Sequence, residues 1–240
     1  MADNPAAESL HNLDLNRFHR IYTTVHEMLR DRGYKPTVAY MKKKQWISHF
    51  LGYLAELEDP SSDLDVFGVV DNMTLIFSKR GASGKKRYLL VYFHPLDSKL
   101  CQNDMNYVHT LMKEKCSQEL IIVANNKATP KVASVIGILG YNAQSFSEDE
   151  LVFNVTKHQL VPRHCLAGKE EKEKILNTYT MLKDGKVHPE LLPGMFTTEP
   201  IAKYFNFKVD DVVRVERPRP DGFYDLTYRI VIFPVTEKDG

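Results

Sequence analysis

Residues 150–176, ELVFNVTKHQLVPRHCLAGKEEKEKIL, lie where the rhythm of the chain changes. His158 and His164 stand six positions apart, Cys165 follows the second, and bases flank both. A metal site, a catalytic pair and a surface built for another protein are the three readings. A structural zinc site takes four nitrogen or sulfur ligands, commonly in two paired units. His158, His164 and Cys165 have no second cluster, and Cys101 and Cys116 lie far upstream. A cysteine nucleophile needs a positioned base, and the side chains of adjacent residues such as His164 and Cys165 diverge. Neither metal, cofactor nor covalent catalysis is expected.

Upstream, the pattern is long and alternating. Leu15, Phe18, Ile21, Tyr22, Val25, Met28 and Leu29 follow helical spacing, and Gly33 ends that helix behind Arg30 and Arg32. VAYMKKKQWISHFLGYLAEL predicts a second helix with Trp46, Phe50, Tyr53, Leu54 and Leu57 on one side and Lys42, Lys43 and Lys44 at its opening. After the turn-rich EDPSSDLD come MTLIFSK and RYLLVYFHP, short runs of β-branched and aromatic residues that read as strands. A helix with Met105, Val108, Leu111 and Met112 follows, then the strand ELIIVANN, a turn into a short helix at KATPKVASVIGIL, and the strand AQSFS. Strands alternating with helices predict an α/β domain over residues 1–147.

Downstream the units shorten. LVFNVTKHQLVPRH predicts a strand, KEEKEKILNTYTML a charged helix, EPIAKYF a short helix, and DVVRVERP and DLTYRIVIF a hairpin turning at Pro220-Asp-Gly. This predicts a small α+β module over residues 148–240.

The bulk numbers narrow the function. There are 32 basic and 31 acidic residues, too even for a chain that holds nucleic acid alone. No long apolar run predicts a membrane span, and MADNPAAESL does not read as a secretory signal. Three scattered cysteines read as free thiols in a reducing compartment, so the sequons at Asn72 and Asn154 are expected to be chance matches. GASGKK, residues 81–86, bridges two strands and lacks the phosphate-loop spacing. It is expected to be a flexible hairpin, with Lys79, Arg80, Lys85, Lys86 and Arg87 as a solvated or weakly basic tip. A metal-dependent nuclease needs an acid and then a strand bearing Glu/Asp-x-Lys; Asp71 precedes a strand, but the strands that follow carry no such motif.

One resemblance runs the length of the chain. HQLVPRH, residues 158–164, resembles the H-E-L-V-P-K-H signature of the fifth subunit shared by eukaryotic nuclear RNA polymerases, which has kin in the archaeal polymerase. In order follow Leu192-Pro193, EPIAKYFNFKVDDVVRVER for D-P-x-A-R-Y-x-G-x-K-x-G-x-V-V-K-I-x-R, and FYDLTYRI for G-R-Y-x-x-Y-R. VHEMLRDRGY and ANNKATPK are similar to the family's V-x-E-M-L-x-D-R-G-Y and N-N-x-T-P-S-A. The resemblance implies a degenerate restriction-endonuclease-like jaw at the amino terminus and an assembly domain at the carboxyl terminus that docks on the largest polymerase subunit within the nucleus.

The docking residues it implies are His158, Leu160, Val161, Pro162, His164, Leu192, Pro193, Pro200, Tyr204, Val212, Val213, Tyr228 and Arg229. Proline fixes its own backbone and extends Val161 before it, so a rigid apolar element would be presented at low entropic cost. The jaw would border downstream duplex DNA, contacting it weakly within the assembly through Lys127, Thr129, Pro130 and Lys131. Gly194, the Lys208-Val209-Asp210-Asp211 turn, RPRPDG and the residues beyond Arg229 depart from the pattern. They imply a divergent lineage or a paralogue serving one class, polymerase I among them, with a nucleolar location. The alternative is a free-standing adaptor on the same fold that bridges transcription factors.

Overall fold

Apolar residues at helical spacing wind Leu15–Asp31 into α1, burying Phe18, Ile21, Tyr22, Val25, Met28 and Leu29. It is the first helix among the residues that the computed structural model describes, which are 15–56, 74–81, 84–94, 102–124, 142–179 and 187–234. Gly33, at φ 82°, ends α1: its N–H reaches Arg30 O, and the Tyr34 N–H reaches Leu29 O. The chain divides into two units, Met1–Phe153 and Asn154–Gly240.

In the first unit β1 (Lys35–Pro36), β2 (Leu75–Arg80), β3 (Lys86–Phe93), β4 (Glu119–Ala124) and β5 (Asn142–Ser147) form one sheet in sequence order. β1, β2 and β3 pair antiparallel, whereas β3, β4 and β5 run parallel. All six residues of β4 are buried, as a parallel strand covered on both faces requires. On one face Leu90, Tyr92, Leu120 and Ile122 pack with Met105, Val108, Leu111 and Met112 of α3 (Gln102–Glu114).

Trp46 and Phe50 of α2 (Lys43–Glu56) are buried, and Trp46 packs with Phe18 and Tyr22. The side chains of Tyr53, Leu54 and Leu57 lie outside the described residues, as do residues 58–65, Asp71, Asn72 and Cys101. His26 lies between aromatic rings, its centroid 4.4 Å from Tyr22 and 5.0 Å from Phe77. Its Nε2 is buried without a hydrogen-bond partner, and burial pushes its pKa down to about 4.

The β2–β3 connection is the expected hairpin, with Gly84 at φ 75°. Two of its five bases have partners. Lys79 Nζ donates to Arg32 O at 2.6 Å and lies over the Tyr34 ring, while Arg87 pairs with buried Glu119 at 3.7 Å. The first unit ends later than residue 147. Helix α4 (Glu148–Leu151) belongs to it because Leu151 is buried and Arg17 of α1 reaches Glu148 and Asp149.

The second unit has a mixed sheet ordered β6-β8-β9-β7, from β6 (Arg163–Leu166), β7 (Gly194–Phe196), β8 (Val212–Pro218) and β9 (Tyr224–Ile232). Helix α5 (Lys169–Tyr179) covers one face, where Ile175 meets Leu192, Val212 and Ile230. Helix α6 (Pro200–Phe205) covers the other, where Ile201 and Ala202 meet Met195, Phe207, Val213 and Val231. Among the described residues no helix is long and apolar enough to cross a membrane.

Candidate docking surface

Asn154 roots the 154–166 segment in the second unit. Its side chain is buried, with Nδ2 donating to Tyr204 Oη at 3.0 Å and Oδ1 accepting from Thr156 N at 2.9 Å and Thr156 Oγ1 at 2.6 Å. Such a side chain competes with a sheet ladder for the backbone. That is why LVFNVTKHQLVPRH is not the single strand its composition predicts. It forms the last residue of α4, a 3-10 turn at Val155–Lys157 and a second turn, and only from Arg163 does it join the sheet. The same burial leaves the Asn154 sequon no room for a glycan.

The second turn displays the expected signature. The Leu160 N–H donates to His158 Nδ1 at 3.2 Å, and the Val161 N–H to His158 O at 2.9 Å. Val155 and Val161 pack on the core beside α6, which leaves Leu160 at the turn's tip, 83% exposed. His164 donates from Nδ1 to Pro162 O at 2.7 Å, and this hydrogen bond sets its tautomer. Burial lowers the His164 pKa most; the Pro162 carbonyl opposes that, Arg229 and Arg217 lower it further, and Glu199 raises it. The ring is neutral at physiological pH and holds the turn against β6. Among the described residues no group of three or more His, Cys, Asp or Glu could hold a metal ion.

The remaining implied docking residues divide by exposure. Pro193 and Pro200 are on the surface, Pro193 accepting the Ile230 N–H and Pro200 opening α6. Tyr228 is half-buried and donates to Glu171 at 3.1 Å. Arg229, also half-buried, projects from the opposite face of β9. Leu192, Tyr204, Val212 and Val213 belong to the unit's own interior, at 9%, 3%, 1% and 0% exposure, and are corrected from contacts to supports. Apolar side chains at those positions complete the core, so a partner could not reach them without unfolding the module. Lys127, Thr129, Pro130 and Lys131 lie outside the described residues.

Two features escape a reading of motifs. Asn154 looks like any loop asparagine until Tyr204 is folded against it. The second is an apolar cluster at the hairpin, with Phe223 72%, Tyr224 61% and Leu226 53% exposed. Its signal was the period-two alternation of YDLTYR.

Residues 153–231 match the family model of the RNA polymerase Rpb5 C-terminal domain. The chain is 30% identical over 226 residues to the DNA-directed RNA polymerases I, II, and III subunit RPABC1 of Caenorhabditis briggsae, covering 92% of this chain and 98% of the relative. The chain belongs to the Rpb5 family. The Dictyostelium discoideum protein of that description is 29% identical over 223 residues, 91% of this chain and 99% of the relative. The Arabidopsis thaliana DNA-directed RNA polymerase subunit 5-like protein 1 is 24% identical over 224 residues, 91% of this chain and 97% of that one.

Departures from the Rpb5 pattern keep its geometry. The two glycine positions in D-P-x-A-R-Y-x-G-x-K-x-G-x-V-V are Asn206 and Asp210 here, and both hold left-handed backbone, at φ 56° and 68°. Asparagine and aspartate tolerate that region better than other side-chained residues. The Lys208 N–H donates to Asp211 Oδ2 at 2.7 Å, and the Asp210 N–H to Val231 O at 2.9 Å, which close the turn without glycine. At Gly194 a Cβ would stand 2.8 Å from Ile232 Cδ1, so Ile232 occupies the space that a larger residue would need.

Proposed function

We propose that the chain is a non-catalytic subunit of a nuclear DNA-directed RNA polymerase. In this reading residues 154–240 are its assembly module on the largest subunit, and the first unit is a degenerate restriction-endonuclease-like jaw bordering downstream duplex DNA. What carries it is collinear likeness over nine-tenths of the chain to subunits described as serving polymerases I, II and III. The turn at Leu160 supports docking in particular: an apolar side chain stands in water on a backbone fixed by His158, Val161 and the core beneath. Such exposure of a rigid anchor serves an interface rather than the fold. The drift at Gly194, Asn206 and Asp210 supports a divergent paralogue, for which polymerase I and the nucleolus are the narrower assignment.

The test is stoichiometric co-purification of polymerase subunits with the tagged full chain, compared with Leu160→Asp. Leu160 contributes little to the core, so the variant should melt like the parent while losing an anchor worth about 2 kcal/mol or more of binding. A variant that co-purifies undiminished places the interface elsewhere; a parent that captures no polymerase subunit overturns the reading. For the jaw, Lys127→Ala with Lys131→Ala in the assembled polymerase should flatten the salt dependence of DNA retention by about one log–log unit per lost phosphate contact. An unchanged slope would separate these lysines from the duplex.

A further inference from the structure

The ladder of the second unit gathers polar side chains around one buried residue. Val215 of β8, at 0% exposure, stands opposite His164 of β6 and Thr227 of β9. Residues two apart share a face of a strand, which adds Arg217 along β8 and Asp225 and Arg229 along β9 to the same patch. Arg217 Nη1 donates to Thr227 Oγ1 at 2.9 Å, so it reaches diagonally across the ladder rather than straight to Asp225. Arg229 follows Thr227 on its other side. Both guanidiniums lie close enough to His164 to disfavour a charge on its ring.

Neither base has an acid in contact with it. Among the described residues Arg229, half-buried, has no ion-pair or hydrogen-bond partner, and Arg217 has only the neutral Thr227 hydroxyl. The nearby acids are engaged elsewhere: Asp225 pairs with Arg219 at 3.5 Å, and Glu199 accepts the Phe196 N–H at 2.8 Å. A guanidinium drawn out of water without a partner is unfavourable, and its planar fork matches a carboxylate or a phosphate through two parallel hydrogen bonds. Charge chooses between these anions. At longer range Asp225 and Glu199 offset the two bases, so the patch suits an anion of one charge better than a phosphate dianion. The chain as a whole balances 32 basic residues against 31 acidic ones, which gives a nucleic-acid backbone little field to follow.

We propose that Arg229 and Arg217 receive an aspartate or glutamate side chain of a partner protein, held by the Arg229 fork and by the remaining N–H groups of Arg217 beside Thr227. The proposal rests on the docking reading of this unit and names the chemistry of one contact within it. Leu160 supplies apolar contact there, and the arginine pair supplies charge and direction.

The experiment uses the tagged full chain and the polymerase subunits it captures. Arg229→Lys keeps the charge and places a primary amine in the site. A water-soluble carbodiimide then joins that amine to a carboxylate in contact with it, with loss of water, and mass spectrometry of the digest reads the joined residues. An amide between position 229 and an aspartate or glutamate of another polymerase subunit is expected. Arg229→Gln keeps part of the stem and removes the charge. It should melt like the parent yet retain the captured subunits about tenfold less well, the worth of a charged hydrogen bond. A parent that captures no polymerase subunit fails the docking reading, and this proposal with it. Capture by the parent that Arg229→Gln leaves undiminished overturns the proposal alone. So does a captured complex of Arg229→Lys that yields no cross-link, or one only to Asp225, Glu199 or a second copy of this chain. A nucleotide adduct at position 229 would give the site to nucleic acid, and would overturn it as well.

Discussion

Strands β4 and β9 occupy interior positions in their sheets, yet they behave differently. Every residue of β4 is buried, with β3 beside it from Glu119 to Val123 and β5 from Glu119 to Ala124. β9 is buried only from Ile230; from Tyr224 to Thr227 its side chains stand in solvent. The first strand is made wholly for folding. The second places its carboxyl half in the core, while its amino half pairs with β8 and leaves its side chains, apolar ones included, exposed. Apolar surface that contributes nothing to the interior is a resource for association.

That contrast can be broken most forcefully in the core. Ile122→Ala should cost about 2–5 kcal/mol, because it opens a cavity against Leu90, Tyr92 and Met105, whereas Leu226→Ala should stay within about 0.5 kcal/mol. Chemical denaturation of the full chain, followed by probes in each unit, checks both. Equal losses would mean that the hairpin tip is structural after all.

Acid should separate the units less sharply. The folded pKa of His26 is about 4, below the ordinary 6.5 of an unfolded histidine, so the unfolded state takes up the proton first. Its contribution is intact above pH 6.5 and is lost as pH falls from 6.5 toward 4. His164 carries the same sign in the second unit. Thermal melts of the first unit between pH 7 and 4.5 should fall less steeply in His26→Phe, which keeps the ring packing and removes the titration. Parallel slopes would mean that His26 is hydrated in solution.

The smallest effect concerns the turn into β8. Asp210→Gly should stabilise the second unit by up to about 1 kcal/mol by relieving left-handed backbone at a side-chained residue, and Asp210→Val should destabilise it. A melt that separates neither variant from the parent would remove backbone strain as the reason this position resembles glycine.

Much of this was legible in order along the chain. The stripe Phe18–Leu29, the apolar runs of β3 and β4 and the Pro220-Asp-Gly hairpin follow from periodicity and turn chemistry, which act between near neighbours. HQLVPRH was legible as a signature, and its family follows from residue order alone. Tertiary structure decided the role of each member. Leu160 and Val161 are adjacent apolar residues, yet one stands in water and the other packs on the core, because the turn held by Asn154 and Tyr204 faces them oppositely. Tyr204, Val212 and Val213 carry the same family signal as Leu160 but lie inside, where they can only support. The pairing of β7 with β9 at Ile230–Ile232 was likewise beyond sequence, because β-strand pairing joins residues far apart in the chain and no local pattern records it.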